Sequence, residues 1–94
     1  MKKLVTTIMR FEEFIRAFER FLDREIGSVD KIEITDRNVI FMLANRRIRI
    51  QIIERVSDFF SNFVIAKIIL DGFNLDESKV IENFIRHMGR ILQA

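Results

Sequence analysis

At 94 residues and 11.3 kDa the chain suits one domain spanning 1–94, and its 49% apolar and 32% charged content is that of a packed globule rather than a disordered tail. Zero Cys excludes disulfides, thiolate catalysis and Cys-ligated metal, zero Pro excludes a proline-rich linker, and 3 Gly leave little room for a glycine-rich phosphate loop. The formal charge is +2 with a sequence pI near 9.4, and the cations are mostly Arg, which suits bidentate contacts to carboxylate or phosphate.

The stretch from Leu4 to Met9, between Lys3 and Arg10, is too short for the apolar region of a signal peptide. The longest apolar run, Phe63 to Leu70, holds Lys67 and falls well short of the about 20 residues of a membrane span. These features predict a cytoplasmic protein without membrane contact. Abundant Ile with only Gln51 and Gln93 as glutamines hints at a thermophile, although an AT-rich genome also raises Ile.

The first element is an amphipathic helix through Phe11 to Ile26. Leu4, Ile8, Phe11, Ile15, Phe18, Leu22 and Ile26 recur at steps of three and four, and Phe14 and Phe21 widen the stripe. The spacing extends the helix back over 2–9, while the β-branched Val5, Thr6, Thr7 and Ile8 keep a short strand open there. Gly27 and Ser28 supply the stop.

A three-stranded antiparallel meander follows, at about 30–35, 38–44 and 47–53. Its two-residue turns are Asp36-Arg37 and Asn45-Arg46. Pairing Thr35 with Asn38 sets Ile34 against Val39 and Ile32 against Phe41. Pairing Ala44 with Arg47 sets Leu43, Phe41 and Val39 against Ile48, Ile50 and Ile52. One face then collects only apolar side chains, and a one-residue slip would put charges among them. The other face mixes Ile40 and Met42 with Lys31, Glu33, Arg47, Arg49 and Gln51.

Ser57 or Asp58 can cap a helix running to Asp71 with Gly72 as its stop, apolar on every side and hence buried all round. The β-branched residues between Val64 and Ile69 leave a fourth strand at 63–70 as the alternative. The last helix is capped by Asp76, with Leu75 stapled onto Val80 and an inner face of Val80, Ile81, Phe84, Ile85, Met88, Ile91 and Leu92. The predicted fold class is α+β: an N-terminal amphipathic helix, a three-stranded antiparallel meander and two C-terminal helices packed on one sheet face.

Chemistry finds little purchase. His87 is the only histidine, and no carboxylate stands at a helical spacing that would orient it. Asp76-Glu77 reads as a helix start rather than a metal site, and Ser57 and Ser61 have no nearby base. No glycine pattern for a nucleotide is present. No enzyme activity, cofactor or metal is expected.

Two contact surfaces remain. The apolar surplus exceeds what so short a chain buries alone, which points to a homo-oligomer or a subunit of a larger complex, with Ile40, Met42, Phe59, Phe60, Phe63 and Val64 as the interface. The alternative is nucleic-acid binding by the basic face of the sheet through Lys31, Arg46, Arg47, Arg49 and Gln51. The order helix, meander, helix resembles that of double-stranded-RNA-binding domains in topology alone. Ser57-Asp58-Phe59-Phe60 stands where that family has its lysine cluster, and the resemblance assigns no membership.

Overall fold

The structure is a computed structural model that describes residues 2–57 and 62–91. The chain order is β1 (Lys2–Arg10), α1 (Phe11–Glu25), β2 (Lys31–Ile34), β3 (Asn38–Leu43), β4 (Arg46–Ser57), β5 (Asn62–Asp71), α2 (Leu75–Met88) and β6 (Arg90–Ile91). The strands form one antiparallel sheet in the order β2-β3-β4-β5-β1-β6, of which β6 is a two-residue edge.

The sheet is therefore wider than a three-stranded meander, and among the described residues one C-terminal helix is present instead of two. Both corrections have a physical cause. The helix expected from 2–9 onward begins at Phe11, and the residues before it are a strand paired with β5 over nine positions. A four-residue step such as Leu4 to Ile8 returns to the same side in a helix and in a strand, so that spacing does not separate the two. Burial does: Val5, Thr7 and Met9 are enclosed, while Thr6 and Ile8 are half-buried on the other side.

The helix expected over 58–71 is instead strand β5 over its described part; the proposed cap Ser57 is the last residue of strand β4, and Asp58 lies outside the described residues. Val64, Ala66, Ile68 and Leu70 are buried, and Phe63, Ile65, Lys67 and Ile69 are half-buried on the reverse face. A central strand apolar on both faces carries the same composition as a helix apolar all round, and periodicity alone does not separate them.

The β2–β3 hairpin has the expected register, Ile34 opposite Val39 and Ile32 opposite Phe41 across the Asp36-Arg37 turn. The second hairpin is shifted by two residues. Its turn is Ala44-Asn45, so Phe41 opposes Ile48 and Val39 opposes Ile50. A two-residue shift keeps each side chain on its face. Ala44 sits at φ 53°, which is the first central position of a tight turn with positive φ.

Both helices lie on the face bearing Val39, Phe41, Leu43, Ile48, Ile50 and Ile68. Phe14, Phe18, Phe21 and Leu22 of α1 join Ile81 and Ile85 of α2 in one core with those strand residues. The ring of Phe18 meets Phe41 edge-on at 5.4 Å, which ties α1 to the middle of the sheet.

At α2 the cap is Asn74 rather than Asp76. The Asn74 carboxamide oxygen accepts from the Glu77 amide at 2.8 Å, and Glu77 Oε1 accepts from the Asn74 amide at 3.1 Å, a reciprocal capping box. Leu75 thus falls inside the helix. It and Val80 are exposed at 54% and 42%, so the expected staple is absent. Gly72, at φ 89°, permits the turn that brings the chain from β5 to this cap. The far end of α2 abuts β1 so closely that a Cβ on Gly89 would lie 2.8 Å from the Ile8 carbonyl oxygen.

Candidate functional site: the open face of the sheet

With α1 and α2 on one face, no described helix covers the reverse face. Antiparallel sheets accept this arrangement because the exposed side can be made polar. Here that side is mixed, and the strand register sets its layout. Lys31, Met42, Arg47 and Asp71 occupy one cross-strand row, and Glu33, Ile40, Arg49 and Ile69 occupy the next. Asn38, Gln51, Lys67 and Thr6 follow. Beyond a bulge between Ile52 and Glu54 come Glu54, Ile65 and Ile8, then Val56, Phe63 and Arg10.

The bulge changes which residues reach this face. The extra residue, Ile53, reverses the alternation, so Glu54 and Val56 join the open face and Arg55 turns toward the helices. The Arg55 guanidinium lies over the Phe11 ring at 5.7 Å and donates to the Asp36 carbonyl at 2.9 Å.

Most of the expected contact residues meet on this surface. Ile40, Met42 and Phe63 are half-buried there, as are the unforeseen Ile8, Ile65 and Ile69. Val64 is not available: its alternate position turns it under the helices, 1% exposed. Phe59 and Phe60 lie outside the described residues. Of the basic set, Lys31, Arg47, Arg49 and Gln51 stand on the open face.

Arg46 does not. It precedes Arg47 by one residue and so projects to the helical side. There its guanidinium pairs with the Glu77 carboxylate and lies over the Phe73 ring at 5.4 Å. It is a fastener between β4 and the start of α2.

Lys67 is absent from the expected basic set, because a helix over 58–71 gives it no place on the sheet. Its signal was available: within 63–70 every even position is apolar, and the one charge falls on the odd set.

The cations differ in how they are engaged. Lys31 Nζ lies 3.1 Å from Glu33, and Arg10 lies 3.7 Å from Glu13 with its guanidinium over the Phe63 ring at 5.6 Å. Arg47, Arg49 and Lys67 form no ion pair or side-chain hydrogen bond with any described residue. Asp71 stands opposite Arg47 in the register without pairing with it, and Arg47, Arg49, Ile69 and Asp71 line a shallow open depression.

Charge is also segregated across the molecule. The two helices carry eight carboxylates against five Lys and Arg. The open face presents Lys31, Arg47, Arg49, Lys67 and Arg10 against Glu33, Glu54 and Asp71.

His87 is exposed near the end of α2, on the opposite side of the sheet from this surface. No described helix is long and apolar enough to cross a membrane. No protein-family model matches the chain, and comparisons with curated proteins and with solved structures find no significant match.

Proposed function

We propose that this protein is a non-catalytic interaction module that works through the open face of its sheet, in a homo-oligomer, in a larger complex or on a nucleic acid. The observation that carries the reading is the one-sided helical layer. It leaves Ile40, Met42, Ile65, Ile69 and Phe63 half-buried on a surface that no described helix covers. Half-buried apolar side chains set among cations make a contact surface, with the apolar residues supplying area and the cations supplying orientation. A protein partner or second copy would rest on Ile40 and Met42 at one side and Ile65 and Ile69 at the other.

Light scattering tests the reading at about 100 µM protein, alone and with added duplex and single-stranded DNA and RNA, a range that reaches even weak association. The expected result is a mass above 11.3 kDa for the protein alone, or a species heavier than the protein and the nucleic acid each are separately, lost in the Met42→Glu/Ile69→Glu variant and kept in Glu19→Ala. A monomer in every condition, or a complex indifferent to the open-face variant, overturns it.

A further inference from the structure

We infer that the occupant of the open face is the phosphate backbone of a nucleic-acid duplex, held by Arg47, Arg49 and Lys67; this rests on the reading that the open face is the contact surface.

The first argument is geometric. Arg47 and Arg49 project from the same side of β4, two residues and so roughly 7 Å apart. Gln51 continues that line, and Lys67 stands directly opposite Gln51 on the neighbouring strand. The three cations form a short track across the middle of the sheet. Ile40 and Ile69 flank Arg49 in its row, giving its aliphatic stem apolar neighbours while the guanidinium faces outward.

The second argument is that these charges are uncommitted. Arg46, Arg55 and Lys31 each have a partner within the protein, whereas Arg47, Arg49 and Lys67 have none among the described residues. Docking a second copy face to face would set five cations of each copy against only three carboxylates, Glu33, Glu54 and Asp71, and desolvating the unpaired excess of positive charge is costly. A polyanion reverses that sign, because each neutralised phosphate releases counterions. The acidic helical layer on the far side leaves the open face as the side that attracts it.

The third argument selects backbone over bases. Single-strand binders stack bases on exposed aromatic rings. This chain has no Trp or Tyr, and the aromatic on the described open face, Phe63, lies beneath the Arg10 guanidinium. Cations without stacking platforms give binding that ignores base sequence.

Fluorescence anisotropy with labelled DNA and RNA duplexes of about 20 base pairs, read across a salt series, tests this. Arg47→Gln/Arg49→Gln/Lys67→Gln is compared with Arg16→Gln/Arg20→Gln/Lys79→Gln, which removes the same charge from the helical side, with circular dichroism confirming that both are folded. Saturable binding by the parent is expected, with a salt slope that falls by about 2 to 3 in the open-face variant and stays near the parental value in the control. No saturable binding at low salt, equal effects of the two variants, or tighter binding of a single strand than of a duplex overturns the inference. A parent that ignores nucleic acid but is a dimer split by Met42→Glu/Ile69→Glu overturns the inference and leaves the contact reading standing. Binding lost only in the helical control overturns both.

Discussion

The ring of Phe84 on α2 lies against Phe21 of α1, centroids 4.3 Å apart and planes 12° apart. It also stacks on Phe18 at 5.6 Å. This contact joins the two helices, remote in sequence, into one layer through their aromatic faces. Phe84→Ala is expected to destabilise the fold by about 3 kcal/mol, combining lost transfer energy, a cavity and lost ring contacts. Urea unfolding should show a lower midpoint at unchanged slope. A loss below about 1 kcal/mol would mean that the helical layer holds without this stack.

Ile68 and Ile69 are adjacent, yet Ile68 is fully enclosed beneath the helices and Ile69 is half-buried on the open face. Placing Glu at 68 buries a charge with no partner, and the chain should fail to fold or lose several kcal/mol. Placing Glu at 69 should leave far-ultraviolet circular dichroism and thermal unfolding close to the parent. Equal damage from both substitutions would contradict the strand assignment of this segment.

Ala44 occupies positive φ at the β3–β4 turn, and its amide donates to the Asp30 carboxylate at 2.6 Å. A side chain at this dihedral is strained, and glycine removes the strain at some entropic cost in the unfolded chain. Ala44→Gly should therefore stabilise by about 0.5 to 1 kcal/mol, raising the unfolding midpoint. Ala44→Val should lower it, since a β-branched side chain suffers more at positive φ.

Glu77 joins two structures. Its carboxylate closes the capping box with Asn74 and also meets the Arg46 guanidinium. Asn74→Ala removes the box and should cost about 1 kcal/mol. Glu77→Ala removes part of the box and also leaves Arg46 half-buried without its carboxylate, so its cost should be the greater. A double-mutant cycle of Arg46→Met with Glu77→Gln should return a coupling above about 0.5 kcal/mol, and additivity within that margin would show that the pair contributes little.

Local patterns in the chain specified part of this molecule. The aromatic stripe of α1, the β2–β3 register and the sorting of Ile32 through Ile52 onto one apolar face follow from alternation and spacing, because a slip of one residue would bury charge. They also placed Arg47 and Arg49 on the reverse face, since that placement depends on parity and survives the two-residue shift of the second hairpin. Tertiary structure decided the rest. The segments 2–9 and 63–70 carry apolar residues that suit a helix or a strand, and what makes them strands is their pairing with each other, Val5 with Ile68 and Ile8 with Ile65, a contact between residues about sixty positions apart. That pairing widens the sheet, and the pairing of β5 with β4 on its other side brings Lys67 beside Gln51 and turns Val64 inward. The bulge at Ile53, which turns Arg55 inward, and the Glu77 partner that withdraws Arg46 from the basic set are likewise settled by neighbours distant in the chain. No local propensity encodes which strand lies next to which, and so the open face, as a surface, exists only once the sheet is assembled.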